Sequence, residues 1–102
     1  MRAFLADITA RVPRIEELLI ASEWAAVRRT CNDLAGLAST VGAMSLADAL
    51  VLLEDAARDG DAARAEPVMA EITAIAARLR SRLPYHLEVV LARRGRSRQD
   101  RL

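Results

Sequence analysis

The sequence predicts an all-α domain, an up-down-up-down four-helix bundle, and three observations carry that prediction. Of the 102 residues 53% are hydrophobic but only 3% aromatic. Ala leads the apolar mass, so good helix formers dominate and strand-favouring aromatics are scarce. Four Gly and three Pro are too few for the many turns of a β protein. Apolar residues also recur at three- and four-residue spacing through four successive stretches, as one buried face of each helix requires. The length suits one domain, here expected over residues 1–94 with a basic, flexible tail at 95–102.

The first stretch runs from about Ala3 to Ala21, with Phe4, Ile8, Val12, Ile15, Leu18 and Leu19 in helical register. Pro13 lies inside it without the N–H that a helix interior uses. Two pieces joined near Val12 are therefore expected, the first a short extra N-terminal segment. Ser22 reads as the N-cap of the second helix, with Glu23 at the positive end of its dipole. Trp24, Val27, Cys31, Leu34, Ala38 and Val41 form an unbroken apolar seam along that helix, Trp24 as a core plug and Cys31 as a buried small apolar residue. Gly42 ends it as a residue able to take positive φ. Ser45 reads as the cap of the third helix, Leu46 to about Arg58, with Asp48 in capping-box position. Asp59-Gly60-Asp61 reads as a stop followed by a new cap. The fourth helix carries Ala65, Val68, Met69, Ile72, Ile75, Ala76, Leu79 and Leu83, beginning near Glu66 because Pro67 is tolerated only in a first turn. Pro84 is expected to break it, leaving Tyr85 to Arg94 as one more short helix with Leu87, Val90 and Leu91 on one side. Short connections between long seams give the bundle topology.

Charge excludes more than it indicates. Fifteen basic residues, all Arg, against fourteen acidic ones give +1, which names no partner. From Arg78 onward eight Arg face only Glu88 and Asp100. That basic end lacks interleaved aromatics and a groove-reading helix, so nucleic acid ranks last among the partners. One Cys makes no internal disulfide, and one Cys with one His does not hold zinc, so neither a metal nor another cofactor is expected. No apolar run reaches the ~18 residues of a membrane span, and the start turns acidic at Asp7 too soon for a signal peptide. A cytoplasmic chain with no membrane contact is the expectation. No enzyme is expected either. The sole His, His86, has no paired nucleophile, and the neighbouring acids Glu16-Glu17 and Glu54-Asp55 point about 100° apart on a helix.

The second helix is where the sequence becomes specific. Arg28, Asn32, Ala35, Gly36 and Ser39 fall together on the face its seam leaves free. Gly36 costs roughly 1 kcal/mol relative to Ala in a helix interior, and it leaves Asn32 standing over a low shoulder that another protein can approach. The run Asn32-Asp33-Leu34-Ala35-Gly36-Leu37-Ala38-Ser39-Thr40-Val41-Gly42-Ala43, followed by Leu46, Leu53-Glu54 and Gly60-Asp61, resembles histidine phosphotransfer (HPt) domains. Their signature is His-x-Leu-Lys-Gly, then small residues, then Gly-Ala. Leu34, Gly36, Gly42 and Ala43 are in register, and the resemblance extends over roughly residues 5 to 83.

The resemblance implies a bacterial two-component phosphorelay module that docks the receiver domain of a response regulator or of a hybrid histidine kinase. The docking face it implies is Arg28, Arg29, Asn32, Ala35, Gly36 and Ser39, with the Arg pair meeting an acidic receiver pocket. Two positions depart from the signature. Ala35 stands at the Lys position, and Asn32 stands at the phospho-acceptor His position. An imidazole nitrogen has a localised lone pair that attacks an aspartyl phosphate, whereas an amide nitrogen's pair is delocalised into its carbonyl. Asn32 therefore implies docking without phosphotransfer. A natural phosphate-silent member and a replaced reactive His fit the sequence equally. The alternative from another class is a helical dimerisation or scaffold domain with no receiver, chains pairing through residues 85–94; otherwise a monomer is expected.

Overall fold

The computed structural model describes the backbone of residues 2–101 and the side chains of residues 4–81. Four helices follow in order: α1 Arg2–Ile20, α2 Trp24–Thr40, α3 Met44–Arg58 and α4 Ala62–Arg101. Each packs on its neighbours in the chain, and α4 returns to α1, closing a ring. This is the expected all-α four-helix bundle.

Each helix buries one stripe. Phe4, Ile8, Val12, Ile15 and Leu18 come from α1, and Val27, Cys31, Leu34, Ala35 and Ala38 from α2. Leu46, Leu50 and Leu53 come from α3, and Ala65, Met69, Ile72, Ile75 and Ala76 from α4. The α3 stripe is widened by buried Ala47, Ala49, Ala56 and Ala57. Side chains that short let the backbones on either side come close, toward the ~8 Å end of helix-packing distances. No charged or polar side chain is buried among the described residues. The core is thus held by area removed from water and by packing, with no internal polar network to satisfy.

The three turns repeat one hydrogen-bond pattern. Glu23 N–H donates to Leu18 C=O (2.9 Å) and Ser22 N–H to Leu19 C=O (3.0 Å). Ala43 N–H donates to Ala38 C=O (2.8 Å) and Gly42 N–H to Ser39 C=O (3.1 Å). Asp61 N–H donates to Ala56 C=O (3.0 Å) and Gly60 N–H to Ala57 C=O (3.1 Å). This is the Schellman closure of a helix C-terminus, which needs a left-handed residue at its pivot. Gly42 (φ 80) and Gly60 (φ 61) fill that pivot, and so does Ser22 (φ 57). Beside Gly60 the Trp24 indole Nε1 lies 3.7 Å from where a Cβ would stand, an ordinary contact distance, so the positive φ alone calls for glycine there.

Several boundaries differ from expectation, each for a physical reason. Ser22 is the left-handed pivot rather than an N-cap, and Glu23 occupies the cap position without a side-chain bond. Ser45 likewise lies inside α3, whose cap residue is Ala43. Asp61 does cap α4, its Oδ1 accepting from the Arg64 N–H at 3.1 Å. The first stretch is one helix through Pro13, because both halves bury the same stripe. Pro13 and Thr9, whose carbonyl loses its helical donor, both face water. α4 starts at Ala62 and continues through Pro67 and Pro84 to Arg101, so neither a break at Pro84 nor a separate helix from Tyr85 is present in the backbone. The side chains that would decide the 94/95 domain limit lie outside the described residues. On the seam of α2, Trp24 is half-buried against the core, and Val41 is 37% exposed rather than buried.

The pivots generate a stability test. Ser22→Gly relieves a left-handed non-Gly residue and is expected to stabilise by roughly 1 kcal/mol. In a domain of this size that raises the thermal midpoint by about 4–8 °C. Gly42→Ala, with nothing within 4 Å of its Cβ position, is expected to lower it by a similar amount through backbone strain alone. Circular-dichroism melts of the two variants check both signs.

Candidate functional site

The rotation of α2 about its axis decides what its outer face presents. With Val27, Cys31, Leu34 and Ala38 buried, Arg28, Arg29, Asn32, Gly36 and Ser39 are exposed. Ala35 is not: at 7% exposure it belongs to the core. It was expected on the docking face, but its position lies on the edge of the stripe that turns inward, so its short side chain is covered.

Arg28, Arg29 and Asn32 line one hollow of about 280 Å³ together with Ala25 and with Glu54 of α3. Antiparallel packing of α2 on α3 brings Glu54 there, since both residues lie about ten to twelve positions from the connecting turn at Gly42. The hollow therefore combines two guanidinium groups, one carboxamide and one half-buried carboxylate. Among the described residues, the ion pairs lie elsewhere: Asp7–Arg11, Arg14–Glu17, Asp55–Arg58 and Asp59–Arg64. The Arg28 and Arg29 guanidinium groups thus remain available to an outside anion.

Beyond Asn32 the surface drops. A Cβ built on Gly36 would have nothing within 4 Å, so Gly36 is an open shoulder and not a packing requirement. One residue on from Ser39, Thr40 Oγ1 donates to Gly36 C=O at 2.9 Å. No side-chain hydrogen bond of Ser39 occurs among the described residues. Val51, 47% exposed, lies one turn from Glu54 on α3. Sequence reasoning missed Glu54 as a residue lining the hollow. The signal was present in the step Val51-x-x-Glu54, but which neighbour that stripe faces is set by packing.

Behind the hollow, Cys31 is buried, and its thiol is pushed up to about 12, by burial first and by the nearby negative charge of Glu54 second. A thiol so held is not a nucleophile at neutral pH. Among the described residues no group of His, Cys, Asp or Glu is arranged to hold a metal ion, and no helix is long and apolar enough to cross a membrane.

The fold is a helical-bundle module, and the candidate residues lie on an exposed helix face beside a shallow hollow. The family model for the Hpt domain matches residues 1–82, and the chain belongs to that family. It is thus a phosphorelay-type module, of a family of phosphotransfer carriers rather than conventional enzymes. No curated protein and no solved structure matches the chain.

The buried thiol yields a pH prediction. Its folded-state value is raised above that of an unfolded chain, so the unfolded state loses the proton first as pH rises. Stability contributed by Cys31 is full below pH ~8.5 and declines up to about 12. Cys31→Ala or Cys31→Ser should flatten the alkaline side of a melting-temperature profile. Native Cys31 should also resist alkylation at pH 8 and react fully once unfolded.

Proposed function

We propose that this chain docks receiver domains in a bacterial, cytoplasmic two-component relay, and that it does so without accepting phosphate. Asn32 is the residue at the phospho-acceptor position. The observation that carries the reading is the exposed line of Arg28, Asn32, Gly36 and Ser39 on α2, with the Asn32 carboxamide beside the hollow and open space over Gly36.

The receiver's aspartyl phosphate and the acidic residues around it approach Asn32, drawn by Arg28 and Arg29. Gly36 lets the receiver backbone close down on α2, and the Ser39 hydroxyl supplies a hydrogen bond at the far end. Val51, exposed one turn from Glu54, offers the contact an apolar side chain to bury. At the centre the carboxamide can donate hydrogen bonds to phosphoryl oxygens. Its nitrogen has no free pair to form an N–P bond, so the aspartate–phosphate bond stays intact. The partner is a receiver of a response regulator or of a hybrid histidine kinase.

The test sets the chain beside Asn32→His against a panel of receivers charged with acetyl phosphate. The His variant should take up phosphate, while the chain itself should bind the same receivers and remain unlabelled. Gly36→Arg should weaken that binding at least tenfold while its melting temperature holds or rises, since Arg is a better helix former than Gly. Absence of receiver binding by every form would sink the docking reading.

A further inference from the structure

On the side of the ring away from Asn32, a groove of about 510 Å³ lies between α1 and α4, lined by Glu16, Leu19, Ile20, Glu66, Met69 and, further along, Ala70 and Thr73. Its floor is apolar and its rims are acidic. Ile20 is 80% exposed, an unusual position for an isoleucine beside an open groove. Neither Glu16 nor Glu66 forms an ion pair among the described residues, whose pairs involve other acids.

The same chain carries a segment of complementary chemistry. α4 spans 40 residues, about 60 Å at 1.5 Å per residue, against 19 residues for α1 and 15 for α3. Its C-terminal half runs from residue 82 to Arg101. In that half the sequence places Leu87, Val90 and Leu91 at helical spacing, followed by Arg93, Arg94, Arg96, Arg98 and Arg101, with only Glu88 and Asp100 opposing them. Because α4 is one helix, that half cannot bend back into the groove beside its own first half.

We propose that the α1–α4 groove receives the C-terminal half of α4 from a second copy of this chain, in a two-fold antiparallel pairing. Register supports the match. When two α4 helices run antiparallel about residue 80, position 94 falls opposite 66, 91 opposite 69, 90 opposite 70 and 87 opposite 73. That register places position 94 beside Glu66 and the positions of the apolar triplet beside Met69, Ala70 and Thr73, next to Ile20. Symmetry makes the contact twice. The cost is the approach of the two Arg80 side chains at the axis, so Arg80→Gln should tighten the dimer. The paired grooves lie on the α1–α4 side and the Asn32 face on the α2–α3 side, so a dimer keeps two docking surfaces outward.

Sedimentation equilibrium of the full chain tests this. The wild type should show a species of twice its 11.1 kDa that weakens as salt is raised. Glu66→Arg and Arg94→Glu should each weaken dimerisation at least tenfold, and an equimolar mixture of the two should restore it by swapping the charges. Ile20→Asp should give a monomer with an unchanged melting temperature, since Ile20 is outside the core. A wild type that stays monomeric at several hundred micromolar overturns the proposal. So does a dimer that all three variants leave intact, or a charge swap that fails to restore pairing.

Discussion

Burial of Val27, Cys31, Leu34 and Ala38 against the neighbouring helices sets the rotation of α2, and the character of the whole α2 surface follows from it. A turn of the helix by one residue position, about 100°, would send Asn32 and Arg28 into the buried places of Cys31 and Val27 and bring Asp33 and Arg29 to the centre of the outer face. The apolar stripe prevents this because each of its members would lose its burial while charged groups gained it. Core and site are thus two sides of one constraint.

The turns carry the second constraint. All three inter-helix connections use the same Schellman closure, which satisfies C-terminal carbonyls and fixes the exit direction of the chain within two residues. Gly42 and Gly60 were legible as stops because glycine enters the left-handed region without steric cost. Ser22 was not, because a serine beside a helix start more often caps with its oxygen. Here the geometry of the closure outweighs that preference, and the preceding helix determines the role of Ser22.

The prolines teach the converse. Pro13 and Pro84 read as local breaks and Pro67 as a first-turn residue, since a proline removes a donor and crowds the preceding turn. At Pro13 and Pro67 the helix persists with the proline on its exposed side, where water can meet the orphaned carbonyl. Continuity at Pro13 is upheld by a stripe from Phe4 to Leu18 packed into one core. Local propensity is a term of a few kcal/mol at most, and tertiary burial across a whole helix exceeds it.

The sequence by itself determined the helical class, the number of bundle helices, nearly all of the core stripe and the family resemblance, which the Hpt match over residues 1–82 bears out. These are properties of spacing along one helix, and spacing is written in the chain. Tertiary structure alone decided that Ala35 is covered, that Glu54 stands beside Arg28 and Asn32, and that Glu16 and Glu66 rim one groove with Ile20 between them. Such facts join residues from different helices. They depend on the rotation and offset of one helix against another, which no periodicity within a single helix encodes.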